Sequence, residues 1–535
     1  MNWRRLPLWR PRAWLAARRG WRHHLYLLAG GGLAALSMAP LHIWPALMAG
    51  LCLLLWSLDG ARRTDRPVRS ALLRGFLFGF GYFLAGTFWI AFAFITRGSG
   101  YAAMVPIAVP LFAALLAAFW GLAGGAYVML APRTVWRVLV FAAAITAFEW
   151  LRGHLFGGLP WNLPAYTWPA GGAMSQAASW FGVYGLTLLT VFLLASPAVA
   201  LGPLRLRRLM PVFVALPIAL VLVLAGSLRL AGMEPDSQSG VRLRIVQTAM
   251  SQRDKWAPDG ERLTRDRYLA LTSRPGLDSV THVIWPEGAL PTFMLEDGPT
   301  LGLIGAELDG GQVLMTGVNR RGRGNAEDGY AYHNTLAVLR FPGGSPRLDT
   351  LYDKVRLTPF GEMVPLSWLV ELIGFDDFTR YQFSPGPAAS VLDVPGAPPV
   401  MPLICYEAIF PEFLRSVDER PAWLLNVSND AWFGVAPGPQ QHFNQARYRS
   451  IESGLPMIRS ASRGISGVVD PAGRTLVWIQ PQVEGVYDVD LPVPLAPPPY
   501  MGWGEGPVAF LIALIVAGAL FQRRKALKRR FMASL

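Results

Sequence analysis

At 535 residues, 52% hydrophobic and only 16% charged, with a mean hydropathy of +0.32, the chain is too apolar for an ordinary soluble enzyme and belongs partly in lipid. Its net charge of +14 would suit a nucleic-acid partner, but the basic residues gather beside apolar runs and no nucleic-acid module accompanies them, so none is expected. Of its two cysteines, Cys52 lies in an apolar run and Cys405 in a long polar segment, so neither a disulfide nor a cysteine metal site is expected.

A helix needs about 20 apolar residues to cross the hydrocarbon core. Seven runs of that kind precede the polar segment, at about 23–40, 42–58, 71–96, 101–131, 134–152, 174–201 and 209–231, and an eighth follows it at about 507–521. The first resembles a signal peptide, yet cleavage there would leave the later spans in place. Arginines mark alternate connections: Arg4, Arg5, Arg10, Arg12, Arg18 and Arg19 at the start, then Arg62, Arg63, Arg66 and Arg69, then Arg133 and Arg137, then Arg205, Arg207 and Arg208. The tail, with Arg523, Arg524, Lys525, Lys528, Arg529 and Arg530, falls on the same side. The positive-inside bias makes that side the cytoplasm, so both termini are expected there. The polar segment leaves after an odd number of spans and is expected on the opposite face, where an unpaired thiol is ordinarily functional.

The expected organisation is a membrane domain over 1–231, a polar domain over 232–499 and a final span with a basic tail over 500–535. Within the polar domain, strands are predicted at Val241–Gln247, His282–Trp285, Gln312–Val318, Asn334–Leu339, Pro399–Ile404, Trp423–Val427 and Gly467–Val469, and helices near Gly260–Ser273 and Gln440–Ser453. This mixture describes one α/β domain, and the Pro-rich run Leu491–Pro499 reads as a linker returning to the membrane.

Three ionisable residues close apolar runs or sit in Pro/Gly-rich turns. Glu287 ends Val283-Ile284-Trp285-Pro286-Glu287-Gly288, Lys354 precedes Pro359-Phe360-Gly361-Glu362, and Cys405 follows Val400–Ile404 at a strand-to-helix turn, where nucleophiles are often presented. Singly, each has an ordinary reading: an acid before glycine is a turn residue, a lysine beside Asp353 is a solvated charge, and a lone cysteine is a small buried hydrophobe.

Together the three resemble the nitrilase superfamily, whose Glu-Lys-Cys triad has this chain order. With spans on both sides, the whole chain resembles the apolipoprotein N-acyltransferase family, including Leu159-Pro160-Trp161-Asn162 and the run from Asn426 to Gly434. Ser462-Arg463-Gly464 departs from the Asn-Thr-Gly expected there. The resemblance implies a transmembrane helical bundle of about eight spans joined to an α-β-β-α sandwich in a bacterial inner membrane, with the catalytic domain periplasmic. It also implies supporting roles for Glu362, Tyr406, Glu407 and Trp256, although the two aromatics also read as packing residues and Glu407 as a helix N-terminal charge. Trp432, Phe433 and the loop around Trp161 and Trp168 are candidates for a substrate rim or lid, or for an interfacial aromatic belt.

The implied reaction moves an acyl chain from a phospholipid donor, through a thioester on Cys405, to the α-amine of a diacylated apolipoprotein. A free thiol is mostly protonated at neutral pH, so Glu287 is the expected base, and Lys354 the expected donor to the tetrahedral oxyanion, a contribution of about 3–4 kcal/mol. Converting a thioester to an amide is downhill, so no cofactor or metal is expected. Drawing a chain of about 16 carbons into water would cost on the order of 12 kcal/mol, so both tails are expected to stay in the bilayer. A membrane-tethered amidase using the same triad on water, and a non-enzymatic scaffold, are the alternatives; a monomer is the default.

Overall fold

The computed structural model describes residues 20–200, 206–233, 237–308, 310–324, 329–364 and 382–532. The N-terminal arginines and Arg205 lie outside them. Two compact units emerge: Met233–Met501 forms one, and the residues on either side form the other.

The first unit is helical. Among the described residues seven helices are long and apolar enough to span a membrane: Trp44–Ala61, Pro67–Gly86, Val105–Leu130, Arg137–Gly157, Met174–Ala200, Leu206–Ala231 and Gly506–Lys525. The eighth expected span, at 23–40, is shorter. It is a helix over Trp21–Ala34 continued by one 3-10 turn to Ser37, a run of about 25 Å at 1.5 Å per residue and at the lower edge of spanning length. Pro40 follows closely. The expected span 71–96 is likewise two pieces, Pro67–Gly86 and Ile90–Thr96, separated where Thr87 turns its hydroxyl back onto the Phe83 carbonyl.

Small residues set the packing. A Cβ on Gly31 would lie 2.0 Å from the Phe78 carbonyl oxygen, and one on Gly81 would lie 2.0 Å from that of Leu28. The helices Trp21–Ala34 and Pro67–Gly86 therefore touch backbone to backbone, the contact by which apolar helices associate when lipid removes the hydrophobic drive between them. By contrast, Leu206–Ala231 and Gly506–Lys525 bury only 17% and 11% of their apolar windows within the molecule and present Phe213, Leu220, Leu228, Phe510 and Leu514 outward.

The second unit holds two six-stranded sheets. One runs in the order β12-β1-β2-β3-β4-β5 and the other β11-β10-β9-β8-β7-β6. The strands are β1 Ser237–Gln247, β2 His282–Trp285, β3 Val313–Arg323, β4 Tyr330–Arg340, β5 Arg347–Asp353, β6 Leu392–Val394, β7 Ala397–Ile404, β8 Trp423–Ser428, β9 Met457–Ala461, β10 Ser466–Val469, β11 Thr475–Ile479 and β12 Gly485–Pro492. In each sheet three central strands are parallel, β1-β2-β3 and β7-β8-β9, and antiparallel strands flank them. The sheets share one core, in which Leu243, Ile245, Ile284, Met315 and Val338 meet Val400, Ile404, Leu425, Val427 and Ile458. The first sheet's other face is covered by the helices Gly260–Thr272 and Gly298–Glu307, through Tyr268, Leu271, Leu301 and Ile304. The helix Gly438–Ser453 follows β8. This is the α-β-β-α sandwich the sequence leads one to expect. Parallel pairing requires crossovers, so the carboxyl ends of β1, β2, β7 and β8 all deliver connections of their own.

Candidate active site

Glu287 follows β2, Lys354 follows β5 and Cys405 follows β7. Thr335 faces Asp353 in the β4–β5 ladder, and the Lys354 N–H donates to the Asn334 carbonyl, so β4 fixes where the lysine emerges. The Lys354 side chain is 1% exposed and its Nζ lies 3.2 Å from Glu287 Oε1 and 2.8 Å from Glu362 Oε2. Burial alone would push the ammonium down, but the two carboxylates more than offset it and hold Lys354 above its ordinary value. Burial would also raise the Glu362 carboxyl; Lys354, together with the Thr358 N–H, brings it below. The lysine is thus a fixed cation.

One residue in this cluster escaped the sequence reading. Asn334, on β4, donates through Nδ2 to Glu287 Oε1 at 2.6 Å and to Glu362 Oε1 at 2.7 Å, joining the two carboxylates that hold Lys354. Its signal was only its place inside a predicted strand.

Cys405 is half-buried and adopts φ +50°, the left-handed region that a residue with a side chain enters at a cost. Two groups stabilise the turn. Glu407, fully buried, accepts from the Ile404 N–H through Oε2 at 2.7 Å, and through Oε1 from the Val355 N–H at 2.7 Å, the Arg356 N–H at 3.1 Å and the Tyr352 hydroxyl at 3.0 Å. It therefore ties the backbone just before the cysteine to the backbone just after the lysine. It is not merely a helix N-terminal charge. Burial pushes Glu407 up to about 7, the backbone donors restraining it.

The second group is His442, whose Nε2 lies 3.1 Å from the Cys405 carbonyl oxygen and must donate to it. Burial and the neighbouring Arg459 hold His442 below its ordinary value, with Asp430, whose Oδ1 lies 3.1 Å from Nδ1, opposing them; Arg459 Nη2 lies 3.2 Å from the same nitrogen. Arg459 also donates to Asp430 Oδ2 at 2.7 Å and to Asn426. Asp430 in turn receives Ser428, whose Oγ lies 3.4 Å from the Cys405 sulfur. The Cys405, Asp430 and His442 ligand atoms fall within 4.8 Å of one another, a spacing a metal could use, but Arg459 already supplies the cation at Asp430. Burial raises the Cys405 thiol and the Glu287 charge raises it further, with Lys354 opposing. Cys405 is thus held as a thiol that senses the Glu287 charge.

The remaining candidates are spread around this centre or away from it. Tyr406 is 7% exposed and meets Phe410 edge to face with centroids 5.0 Å apart. Trp256 is 62% exposed, and its Nε1 leads through Gln252 to Asn429 in the loop after β8. Trp432 and Phe433 are half-buried, Phe433 resting edge-on against His442 at 5.8 Å. Trp161 belongs to the helical unit and is 2% exposed within it, tilted against Trp89 at 4.8 Å, while Trp168 donates to Thr190. Ser462, where the sequence departs from Asn-Thr-Gly, donates to Asn429 Oδ1 at 2.7 Å, and its backbone pairs with Ser428 and Ala249. The glycine two positions on is required: a Cβ on Gly464 would lie 2.0 Å from Asp430 Oδ2.

Comparison with known proteins places each unit. Residues 30–196 match the family model for the apolipoprotein N-acyltransferase N-terminal domain, and residues 246–496 match that for carbon-nitrogen hydrolases. The chain is 38% identical to an apolipoprotein N-acyltransferase of Rhodopseudomonas palustris, covering 94% of this chain and 96% of the relative. It is 40% identical to one of Caulobacter vibrioides, covering 96% of each, and 37% identical to one of Bradyrhizobium diazoefficiens, covering 95% and 96%.

Proposed function

The chain belongs to the apolipoprotein N-acyltransferase family, and we propose that it carries a phospholipid acyl chain through a Cys405 thioester to the α-amine of a diacylated lipoprotein. The observation that carries this reading is the buried Lys354 held between Glu287 and Glu362 at the strand ends that also deliver Cys405. A cation locked by two carboxylates is a preorganised partner for an oxyanion, worth far more in a dry cavity than in water.

In the first half-reaction Glu287 takes the thiol proton as sulfur attacks the ester carbon. Lys354 stabilises the oxyanion, the lysophospholipid alkoxide departs with the proton from Glu287, and the thioester remains. In the second, the amine attacks the thioester, the C–S bond breaks, and the amide forms as the amine proton passes by way of Glu287 to the sulfur. Glu407 and His442 preserve the strained turn on which both attacks depend. Trp256, Trp432 and Phe433 are proposed substrate contacts; Trp161, enclosed in the helical unit, is proposed to shape that unit.

The enzyme is proposed to lie in the bacterial inner membrane with its catalytic unit periplasmic and its termini cytoplasmic, acting as a monomer. Supporting this are the arginines on alternate connections and seven crossings before β1 when Trp21–Ser37 counts as one. Incubation with a phospholipid labelled in its acyl chain tests the reading. Label on Cys405 that then passes to a diacylated lipopeptide amine is expected; label recovered only as free fatty acid would make the protein a hydrolase, and no labelling would remove the enzymatic reading.

A further inference from the structure

Asn334 leaves half of its amide unused. Two carboxylates can only accept from it, so the NH2 end must face Glu287 and Glu362, at 2.6 and 2.7 Å, and both of its protons are committed. The carbonyl end is thereby turned away from them. Asn334 is 5% exposed, and among the described residues its Oδ1 has no hydrogen-bond partner. A buried acceptor left unpaired is costly and is ordinarily satisfied by something that binds.

The chemistry of the two substrates decides what that something is. The ester carries neither N–H nor O–H at its reacting end, and neither does the thioester, so the acyl donor offers the oxygen nothing. The amine does. A neutral primary amine directs its lone pair at the thioester carbon and has two N–H groups left, one of which must reach the base, Glu287. We propose that Asn334 Oδ1 receives the other, making Asn334 the subsite that orients the acceptor amine. The α-ammonium, with an ordinary value of about 8, first loses one proton to solvent. The amine lone pair then forms the C–N bond, the C–S electrons leave with sulfur, Glu287 takes one N–H proton and returns it to the thiolate, and the second N–H, on Asn334, remains on the amide nitrogen. This rests on the acyl-transfer reading given above and adds to it a requirement for a primary amine.

The test uses the full-length enzyme with its thioester preformed from labelled phospholipid. Transfer is measured to a diacylated lipopeptide with a free α-amine and to its N-methyl analogue, which has a single N–H, for the wild type and for Asn334→Leu. The wild type is expected to favour the primary amine roughly ten- to hundred-fold, the range for a hydrogen bond lost at a buried site. Asn334→Leu is expected to raise the acceptor KM and to erase most of that preference. If it slows both acceptors by one common factor, Asn334 serves only to hold the carboxylates and the inference falls. Asn334→Asp keeps an oxygen but loses the donor, so it is expected to slow thioester formation while retaining the preference; an Asp variant that loses the preference as the Leu variant does would also overturn the inference. Failure of the wild type to form any thioester would instead remove the acyl-transfer reading.

Discussion

Each unit buries a cation against a carboxylate, and the two clusters are finished differently. In the helical unit Arg152 donates to Glu149 and to the carbonyls of Leu159 and Trp161, lies over the Phe83 ring at 4.9 Å, and leaves Glu149 to accept from Trp120 as well. Every part of this cluster is engaged, and its product is a shape: it pins the run from Leu159, where Asn162 also donates to the Gly86 carbonyl. In the sandwich Lys354 is held by two carboxylates, but the set ends in an open amide oxygen on Asn334 and a thiol that senses the Glu287 charge. A guanidinium fork suits closure, whereas an ammonium is a point charge that carboxylates can hold while substrate approaches. The proposed chemistry lies where the polar network is left incomplete.

Changes to Cys405 and Glu287 in the sandwich cluster are expected to act on chemistry far more than on folding. Cys405→Ala is expected to abolish acyl labelling. Glu287→Gln should cut turnover by roughly 10²- to 10⁴-fold, the usual worth of a general base, and yet accelerate alkylation of Cys405. Burial holds the thiol high, and the Glu287 charge raises it further, so removing that charge increases the thiolate fraction at any fixed pH. Iodoacetamide labelling between pH 7 and 10 checks this: the variant's profile should lie at lower pH than the wild type's, and Lys354→Met should move it the other way. An unshifted profile would mean that the carboxylate and the thiol do not sense each other.

The same operation on the closed cluster should affect stability instead. Arg152→Met strands the buried Glu149 carboxylate, a loss of about 3–5 kcal/mol. Thermal unfolding in detergent should show it, while the Cys405 alkylation profile of the protein that remains folded is unchanged. Adding Glu149→Leu removes the stranded charge and should recover much of the loss. A double variant as unstable as the single one would indicate that the pair does more than balance charge.

How much of this was legible in the sequence differs between the units for the same physical reason. Strands buried on both faces, such as His282–Trp285 and Trp423–Ser428, read as unbroken apolar runs and were found with the right bounds to within a residue. β9 was missed because its buried positions include Arg459 and Ser460, whose partners are Asp430 in the turn after β8 and the Val246 carbonyl of β1. β5 and β12 were missed because Asp349, Asp353, Asp488 and Asp490 interrupt their alternation; each finds a basic partner across the sheet or next to it. Glu287, Lys354 and Cys405, the proposed triad, stand out in the sequence through their motifs. Asn334 and the linking role of Glu407 do not, since both depend on which strand ends meet, and composition along the chain says nothing of that.

A smaller loss is expected at Gly464, which lies against the closed part of the catalytic unit. Gly464→Ala places a methyl 2.0 Å from Asp430 Oδ2, and overpacking of this kind costs about 1–3 kcal/mol. Because Asp430 is bound by Arg459, His442 and Ser428, its displacement should also reach the cysteine through Ser428. The variant is therefore expected to show both a lower melting temperature and an altered alkylation rate, combining the signatures that the two clusters otherwise keep apart.

The smallest expected effect concerns Ser462, and it bears on whether the departure from Asn-Thr-Gly alters this site. Three contacts hold the residue, but two are made by its backbone, to the Ser428 carbonyl and from the Ala249 N–H, and any residue supplies them. Only the hydroxyl bond to Asn429 Oδ1 at 2.7 Å depends on the side chain, and Asn429 Oδ1 still accepts from Gln252 when it is lost. Ser462→Ala is thus expected to cost about 1 kcal/mol in thermal unfolding. Since neither Asp430 nor Ser428 loses a partner, the alkylation profile of Cys405 should stay where it is. A shifted profile would mean that Asn429 transmits strain to the neighbouring Ser428, and the boundary between the closed network and the reactive one would then lie one residue further from the sulfur.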